Sequence, residues 1–77
     1  MVMKVGCVCT KLVGREAGEV CAIVEVVDRT YVVVTGPKVR RRKCNIKHLE
    51  PHALVLDLEK GASDEDVADA LKGEGLA

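Results

Sequence analysis

The chain has 77 residues with a formal net charge of zero, and 48% of the residues are hydrophobic while 1% are aromatic. A chain of this length makes one small domain that buries about 60% of its unfolded surface, so we expect no second enzyme-sized domain and no deep substrate cleft. Residues 1–48 carry ten Lys or Arg against four acids (net +6) and residues 49–77 two Lys against eight acids (net −6), which predicts a polyanion-binding body with an acidic appendage.

The first half of the chain predicts short β-strands. Residues 2–12 and 20–28 are runs rich in Val and Cys, separated by a loop that Gly14 and Gly18 bound. The second run is too apolar for a fully exposed face and is therefore expected to be central. A polar turn at residues 28–30 leads to a partner strand at 31–35, which ends at Gly36 and Pro37 because proline cannot donate to a central ladder.

The second half begins with a basic segment at residues 38–46. Read as a strand, it points Arg40 and Arg42 one way and Arg41 and Lys43 the other. Residues 47–51 predict a turn in which Glu50 is free to pair with a nearby arginine, and residues 55–58 predict a last edge strand. A helix then opens at residues 63–66, where a serine cap precedes three acids that complement the helix N-terminus, with residues 67, 70 and 71 on one face.

These elements predict a mainly β fold, a small and partly open barrel of the SH3-like or OB type with a short C-terminal helix. The barrel is expected to span residues 1–58 and the acidic C-terminal extension residues 59–77. The N-terminus shows no signal-peptide pattern, and no apolar run approaches the ~20 residues of a membrane span. A cytoplasmic protein with reduced thiols and no membrane partner is therefore expected.

Several motifs in this layout point to a family. They are GREAG at 14–18, VTGP at 34–37, RRRKCNIKHLEP at 40–51 and GAS-DEDV at 61–67, with Gly18 at the glycine of a KOW motif over residues 8–36. The chain resembles the KOW-domain ribosomal proteins, and within them the archaeal–eukaryotic fourteen-e family of the large subunit in its archaeal form. The KOW pattern alone also occurs in transcription-elongation factors, whereas GREAG together with RRR-x-CNIKHLEP is far more specific. The resemblance implies an SH3-like KOW barrel that binds large-subunit ribosomal RNA and has no catalytic activity.

The cations near the first loop and in the basic segment are the candidate RNA contacts, because Lys and Arg neutralise phosphates and release counterions. Four consecutive cations without an interleaved acid are unusual for a merely solvated face. For Lys4 and Arg29, contact with RNA and simple exposure to solvent are equally expected. The predicted RNA-binding residues are Lys11, Gly14, Arg15, Gly18, Lys38, Arg40, Arg41, Arg42, Lys43, Asn45, Lys47 and His48.

The shortage of aromatic residues narrows the mode of binding. Readers of single-stranded bases, peptide-binding SH3 grooves and methyl-lysine cages all need aromatic side chains, and only Tyr31 is available. Tyr31 is itself expected to be a partly buried barrel residue rather than a base-stacking platform. The binding mode that needs no aromatic side chains is recognition of folded RNA by its backbone and shape.

Metal and enzyme sites are disfavoured. The cysteines at 7, 9, 21 and 44 lack the paired C-x-x-C spacing of structural zinc sites, and small buried hydrophobes are the better interpretation. His48-Leu49-Glu50 matches the H-x-E of zinc deaminases, but no cysteine follows Cys44 to complete that signature. No cofactor, metal or small-molecule substrate is therefore expected.

The leading hypothesis is a structural constituent of the large ribosomal subunit that binds folded ribosomal RNA through a basic surface and supports translation. Neighbouring ribosomal proteins would be further partners, and the isolated chain would be monomeric. The alternative is a KOW-type interaction module of a transcription or translation factor with a protein partner. Since an acidic tail repels RNA, it is expected to face the barrel, solvent or a neighbouring protein.

Overall fold

The computed structural model of the protein describes residues 4–75. It contains five strands, β1 (Cys7–Lys11), β2 (Val20–Val26), β3 (Tyr31–Gly36), β4 (Val39–Asn45) and β5 (Leu49–Val55), and one helix, α1 (Asp64–Gly73). A 3₁₀ turn, Ile46–His48, joins β4 to β5. No helix within residues 4–75 is long and apolar enough to cross a membrane.

The strands form one antiparallel sheet in the order β4-β3-β2-β1-β5, so β2 is central as predicted. The pairing register shifts once in β1–β5, once in β2–β3 and once in β3–β4. Such irregularities bend strands and increase their twist. The sheet thereby curls into a small SH3-like barrel, which confirms the predicted fold class.

Each face of the sheet builds its own core. The barrel core consists of Cys7, Cys9, Cys21, Ile23, Val32, Val34, Val39, Cys44 and Leu49. The helix-side core joins the opposite face of the sheet to α1 and consists of Val8, Ala22, Val24, Leu56, Val67 and Leu71. This division explains why β1 and β2 have apolar residues on both faces.

The cysteines are free thiols and all lie in the barrel core, as predicted for small buried hydrophobes. Cys9 and Cys21 face each other across β1 and β2. Burial raises the pKa of the Cys21 thiol to about 12 and moves the pKa of Cys9 further in the same direction. Both thiols are therefore protonated and unreactive at neutral pH. Within residues 4–75, no group of three or more His, Cys, Asp or Glu side chains is placed to hold a metal ion.

The first strand is shorter than predicted. Gly6 adopts a φ of 94°, and the Cys7 N–H donates to the Lys4 carbonyl over 3.0 Å, so a turn precedes β1. A side chain on Gly6 would also meet the backbone carbonyl of Leu56, which passes against it. Residues 2 and 3 of the predicted strand lie outside the described residues.

The last strand was predicted at the wrong place. Residues 49–51 belong to β5 rather than to a turn, and the strand ends at Val55 where the predicted one began. The register pairs Leu49 with Lys11 and Pro51 with Cys9. Proline is tolerated because β5 is an edge strand and needs hydrogen bonds on one side only. Among the ion pairs within the described part of the chain, none involves Glu50.

The helix begins where the sequence predicts. The Ser63 hydroxyl accepts a hydrogen bond from the Asp66 N–H over 3.2 Å, which caps α1, and Val67 and Leu71 are buried against the sheet. An isolated helix of this length is marginal in water, so docking on the sheet stabilises it. The Thr35 hydroxyl donates to Asp64 over 3.0 Å and ties the start of α1 to β3.

Candidate nucleic-acid interface

The first loop extends the β1–β2 pairing to a glycine-bounded tip. The Gly18 N–H donates to the Lys11 carbonyl over 2.7 Å, and the Lys11 N–H donates to the Glu19 carbonyl over 3.0 Å. Gly14 and Gly18 have φ values of 87° and 88°, conformations that residues with a Cβ rarely adopt. The tip between them is exposed and carries Arg15.

Glu16 is the centre of the loop's contacts. Its carboxylate accepts hydrogen bonds from the Lys11 ammonium over 3.1 Å and from the Arg40 backbone N–H over 2.8 Å, and the Arg42 Nε lies 3.8 Å away. The Arg40 N–H, followed by Lys11, lowers the pKa of Glu16 below its ordinary value. The carboxylate is therefore ionised at neutral pH and joins the loop to β4.

Lys11 differs from the exposed contact that the sequence suggested. Only 6% of its side chain is exposed, and its ammonium is paired with Glu16. The aliphatic stem lies along the barrel while the charged end reaches the carboxylate, as long cationic side chains often do. Lys11 thus stabilises the first loop through Glu16, and the Glu16 carboxylate compensates its positive charge.

Three arginines from two elements meet beside this carboxylate. Arg15 on the loop and Arg40 and Arg42 on β4 line one surface depression together with Glu16. The guanidinium groups come from positions far apart in sequence, and the fold brings them together on one side of the barrel. A depression lined by arginines suits oxyanions, because the planar guanidinium donates in pairs to phosphate oxygens.

The other side of β4 makes contacts within the protein. Arg41 donates to Asp64 from its Nε over 3.0 Å and to the Ala62 carbonyl from its Nη2, so it binds the start of α1. The Lys43 ammonium lies 4.5 Å from the centre of the Tyr31 ring. Tyr31 begins β3 and is 37% exposed, so it is a partly buried barrel residue as predicted. At an end of β3, the ring lies on the surface beneath a cation.

The remaining predicted residues lie at the ends of β4. Lys38 is exposed in the β3–β4 turn, and Lys47 and His48 are exposed in the 3₁₀ turn. Asn45 uses its side-chain oxygen to accept from the Lys47 N–H over 2.8 Å, so it caps that turn. The Leu12 N–H donates to the His48 carbonyl over 2.9 Å, which places the 3₁₀ turn beside the base of the first loop.

Sequence reasoning therefore found most of the cations but missed what organises them. Glu16 was absent from the predicted site, although it is the one acid inside the GREAG motif. An acid within a basic motif is the signal that could have indicated an internal ion pair.

Comparison with known proteins identifies the family. No family model matches the chain. The large ribosomal subunit protein eL14 of Methanococcus vannielii is 55% identical over 74 residues, covering 96% of this chain and 95% of the relative. Those of Staphylothermus marinus and Aeropyrum pernix are 46% and 51% identical, covering 96% and 99% of this chain and 81% and 80% of the relatives. These archaeal matches confirm the resemblance seen in the motifs, and the chain belongs to the large ribosomal subunit protein eL14 family, whose members are structural proteins rather than enzymes.

Proposed function

We propose that this chain is a structural constituent of the large subunit of the cytoplasmic ribosome, where it binds folded ribosomal RNA and supports translation. The RNA-binding surface consists of the first loop, the side of β4 that carries Arg40 and Arg42, and the 3₁₀ turn. The observation that supports it is the convergence of Arg15, Arg40 and Arg42 on one depression from two separate elements.

The chemistry favours recognition of the RNA backbone. Exposed arginines and lysines contact phosphate oxygens and release condensed counterions, which gives affinity with little sequence selectivity. The single tyrosine is already in contact with Lys43, which disfavours a platform for splayed bases. A rigid barrel with backbone contacts suits a position within folded RNA.

The acidic extension bounds this surface. Asp64 is held by Arg41 and Thr35 on the opposite side of β4 from Arg42. Asp64 and Glu65 also line a depression with Lys38 and Arg40, so the acids of α1 bound the surface at that end of β4. Because these acids repel phosphates, we expect the RNA to approach from the side of Arg15 and Arg42, with the helix towards solvent or a neighbouring ribosomal protein.

Salt dependence tests the proposal. Five exposed cations lie on this surface or in the turns beside it: Arg15, Lys38, Arg40, Arg42 and Lys47. If these meet phosphates, the affinity for deproteinised large-subunit ribosomal RNA of Methanococcus vannielii should fall about 500-fold between 50 and 200 mM salt. A flat response would contradict RNA binding and favour a module whose partner is a protein.

Charge-matched variants locate the surface. The slope of log affinity against log salt is negative, and replacing Arg15, Arg40 and Arg42 together by alanine should reduce its magnitude by about three. The control replaces Arg41, Lys60 and Lys72, three exposed cations that do not line the depression, and should leave the slope nearly unchanged. Equal losses in the two triple variants would show that net charge, rather than this surface, carries the binding.

A further inference from the structure

We propose, on the basis of the RNA-binding function above, that Glu16 is a positioning residue that aligns Arg15, Arg40 and Arg42 as one subsite for an RNA backbone phosphate. An acid beside a polyanion site is unexpected from charge alone, since it repels the ligand. The contacts that Glu16 makes must therefore explain why an acid lies there.

The contacts of the carboxylate supply that reason. Oε2 accepts from the Arg40 backbone N–H over 2.8 Å, and Oε1 accepts from Lys11 over 3.1 Å and lies 3.8 Å from the Arg42 Nε. One side chain of the loop thus fixes the backbone of β4 at Arg40 and lies against the side chain at Arg42. Since Arg15 directly precedes Glu16, this attachment also fixes where Arg15 stands relative to β4.

The negative charge has little electrostatic cost for the ligand. The Lys11 ammonium is almost fully buried beside the carboxylate, with 6% and 15% of the two side chains exposed. Together Lys11 and Glu16 form a neutral unit, so the field at the depression comes from the guanidinium groups. A preformed arrangement of those groups binds more tightly than a mobile one, because less side-chain and loop freedom is lost on binding.

The Glu16 attachment also separates this subsite from ordinary surface charge. Without it, Arg15 would belong to a free loop tip and would contribute only a mobile positive charge. With it, Arg15 is held beside the strand that carries Arg40 and Arg42, and the three residues line one depression. We therefore expect binding to depend on the hydrogen bond to the Arg40 N–H and not on the charge of Glu16.

A pair of double variants tests this without changing the net charge. Lys11→Met/Glu16→Ala removes the neutral pair and the acceptor for the Arg40 N–H. Lys11→Met/Glu16→Gln removes the same charges but leaves an amide oxygen that accepts from that N–H. We expect the first variant to bind large-subunit ribosomal RNA at least tenfold more weakly, with its salt slope lowered by one to two. The second should bind within about threefold of the original chain.

Equal affinity of the two double variants would overturn the positioning role. Glu19→Ala serves as the charge control, because it removes an acid from the same loop and should bind slightly more tightly through reduced repulsion. Thermal unfolding followed by circular dichroism establishes that each variant is folded at the temperature of the binding assay. A steep salt response of the original chain with indistinguishable double variants would refute this inference alone, whereas a flat response of the original chain would refute the RNA-binding function.

Discussion

Arg41 and Asp64 are joined across the sheet and the helix, with the Arg41 Nε 3.0 Å from the Asp64 carboxylate. The next residue, Arg42, points to the opposite face, where 52% of its side chain is exposed. These two adjacent arginines of β4 therefore have different roles. Arg41 stabilises the protein, and Arg42 is available to a ligand.

Single alanine variants should separate these two roles. Arg41→Ala should lower the free energy of unfolding by up to about 1 kcal/mol, the range of a partly exposed ion pair, and leave the salt slope of RNA binding nearly unchanged. Arg42→Ala should lower that slope by about one and change stability by less than about 0.5 kcal/mol. Chemical denaturation and RNA titration at several salt concentrations measure both. A larger slope change in Arg41→Ala than in Arg42→Ala would reverse the assignment.

Lys11→Met should lower RNA affinity only modestly, because it leaves the charge of Glu16 less compensated but removes no contact with a phosphate. The ammonium is enclosed and paired with Glu16, so it cannot release counterions on binding. The salt slope should change by well under one, in contrast to the change expected for an exposed arginine. A decrease of one or more would show that Lys11 contacts a phosphate directly.

Leu71→Ala should show that α1 is part of the cooperative fold. Leu71 is fully buried in the helix-side core, and its truncation should cost about 2–5 kcal/mol of unfolding free energy. Leu12→Ala makes the same chemical change where the side chain is 48% exposed, and should cost less than about 1 kcal/mol. Thermal unfolding of the two variants provides the comparison. Similar melting temperatures would mean that the helix contributes little to stability.

Two glycines of similar conformation should respond differently to alanine. Gly6 and Gly14 have φ values of 94° and 87°, so both substitutions carry the backbone cost of about 1–2 kcal/mol. Gly14 has open space around a new Cβ, whereas Gly6 lies against the Leu56 backbone. Gly6→Ala should therefore be the more destabilising, by more than about 1 kcal/mol beyond Gly14→Ala. Denaturation midpoints in that order would support the close approach, and the reverse order would refute it.

Asp28 should make stability depend on pH in the acid range. Its carboxylate accepts from the Thr30 and Tyr31 N–H groups over 2.7 and 2.9 Å, and these bonds lower its pKa in the folded state. The stabilisation is therefore present above the unfolded-state pKa of about 4 and is lost as pH falls through the folded-state value. Melting temperatures of the original chain and Asp28→Asn should differ at pH 7 and converge below pH 4. A constant difference down to pH 2 would argue against this linkage.

Much of the fold follows from local chemistry that the sequence displays. The apolar run at residues 20–28 predicted a central strand, and Ser63 predicted the start of a helix, because burial and capping act on neighbouring residues. The position of β5 did not follow, because Pro51 is a strand breaker except at an edge. Which strand lies at an edge is decided by the pairing of the whole sheet.

The candidate site shows the same limit. The cations of β4 were predicted from composition, and their alternation from the period of a strand. Their different uses were not predictable, because Arg41 contacts a helix 23 residues further along the chain and Arg40 contacts a loop 24 residues before it. Glu16 likewise acquires its role only when folding brings β4 against the first loop.

The pairing of β1 has a consequence for the order in which the protein is made. β1 is hydrogen-bonded to β2 on one side and to β5 on the other, with Lys11 opposite Leu49. During synthesis the first strand must therefore wait for the last before the barrel core is enclosed. Folds dominated by such distant pairings typically take milliseconds to seconds to form. The basic segment leaves the ribosome before the acidic extension does, so a polyanion nearby would meet the cations first.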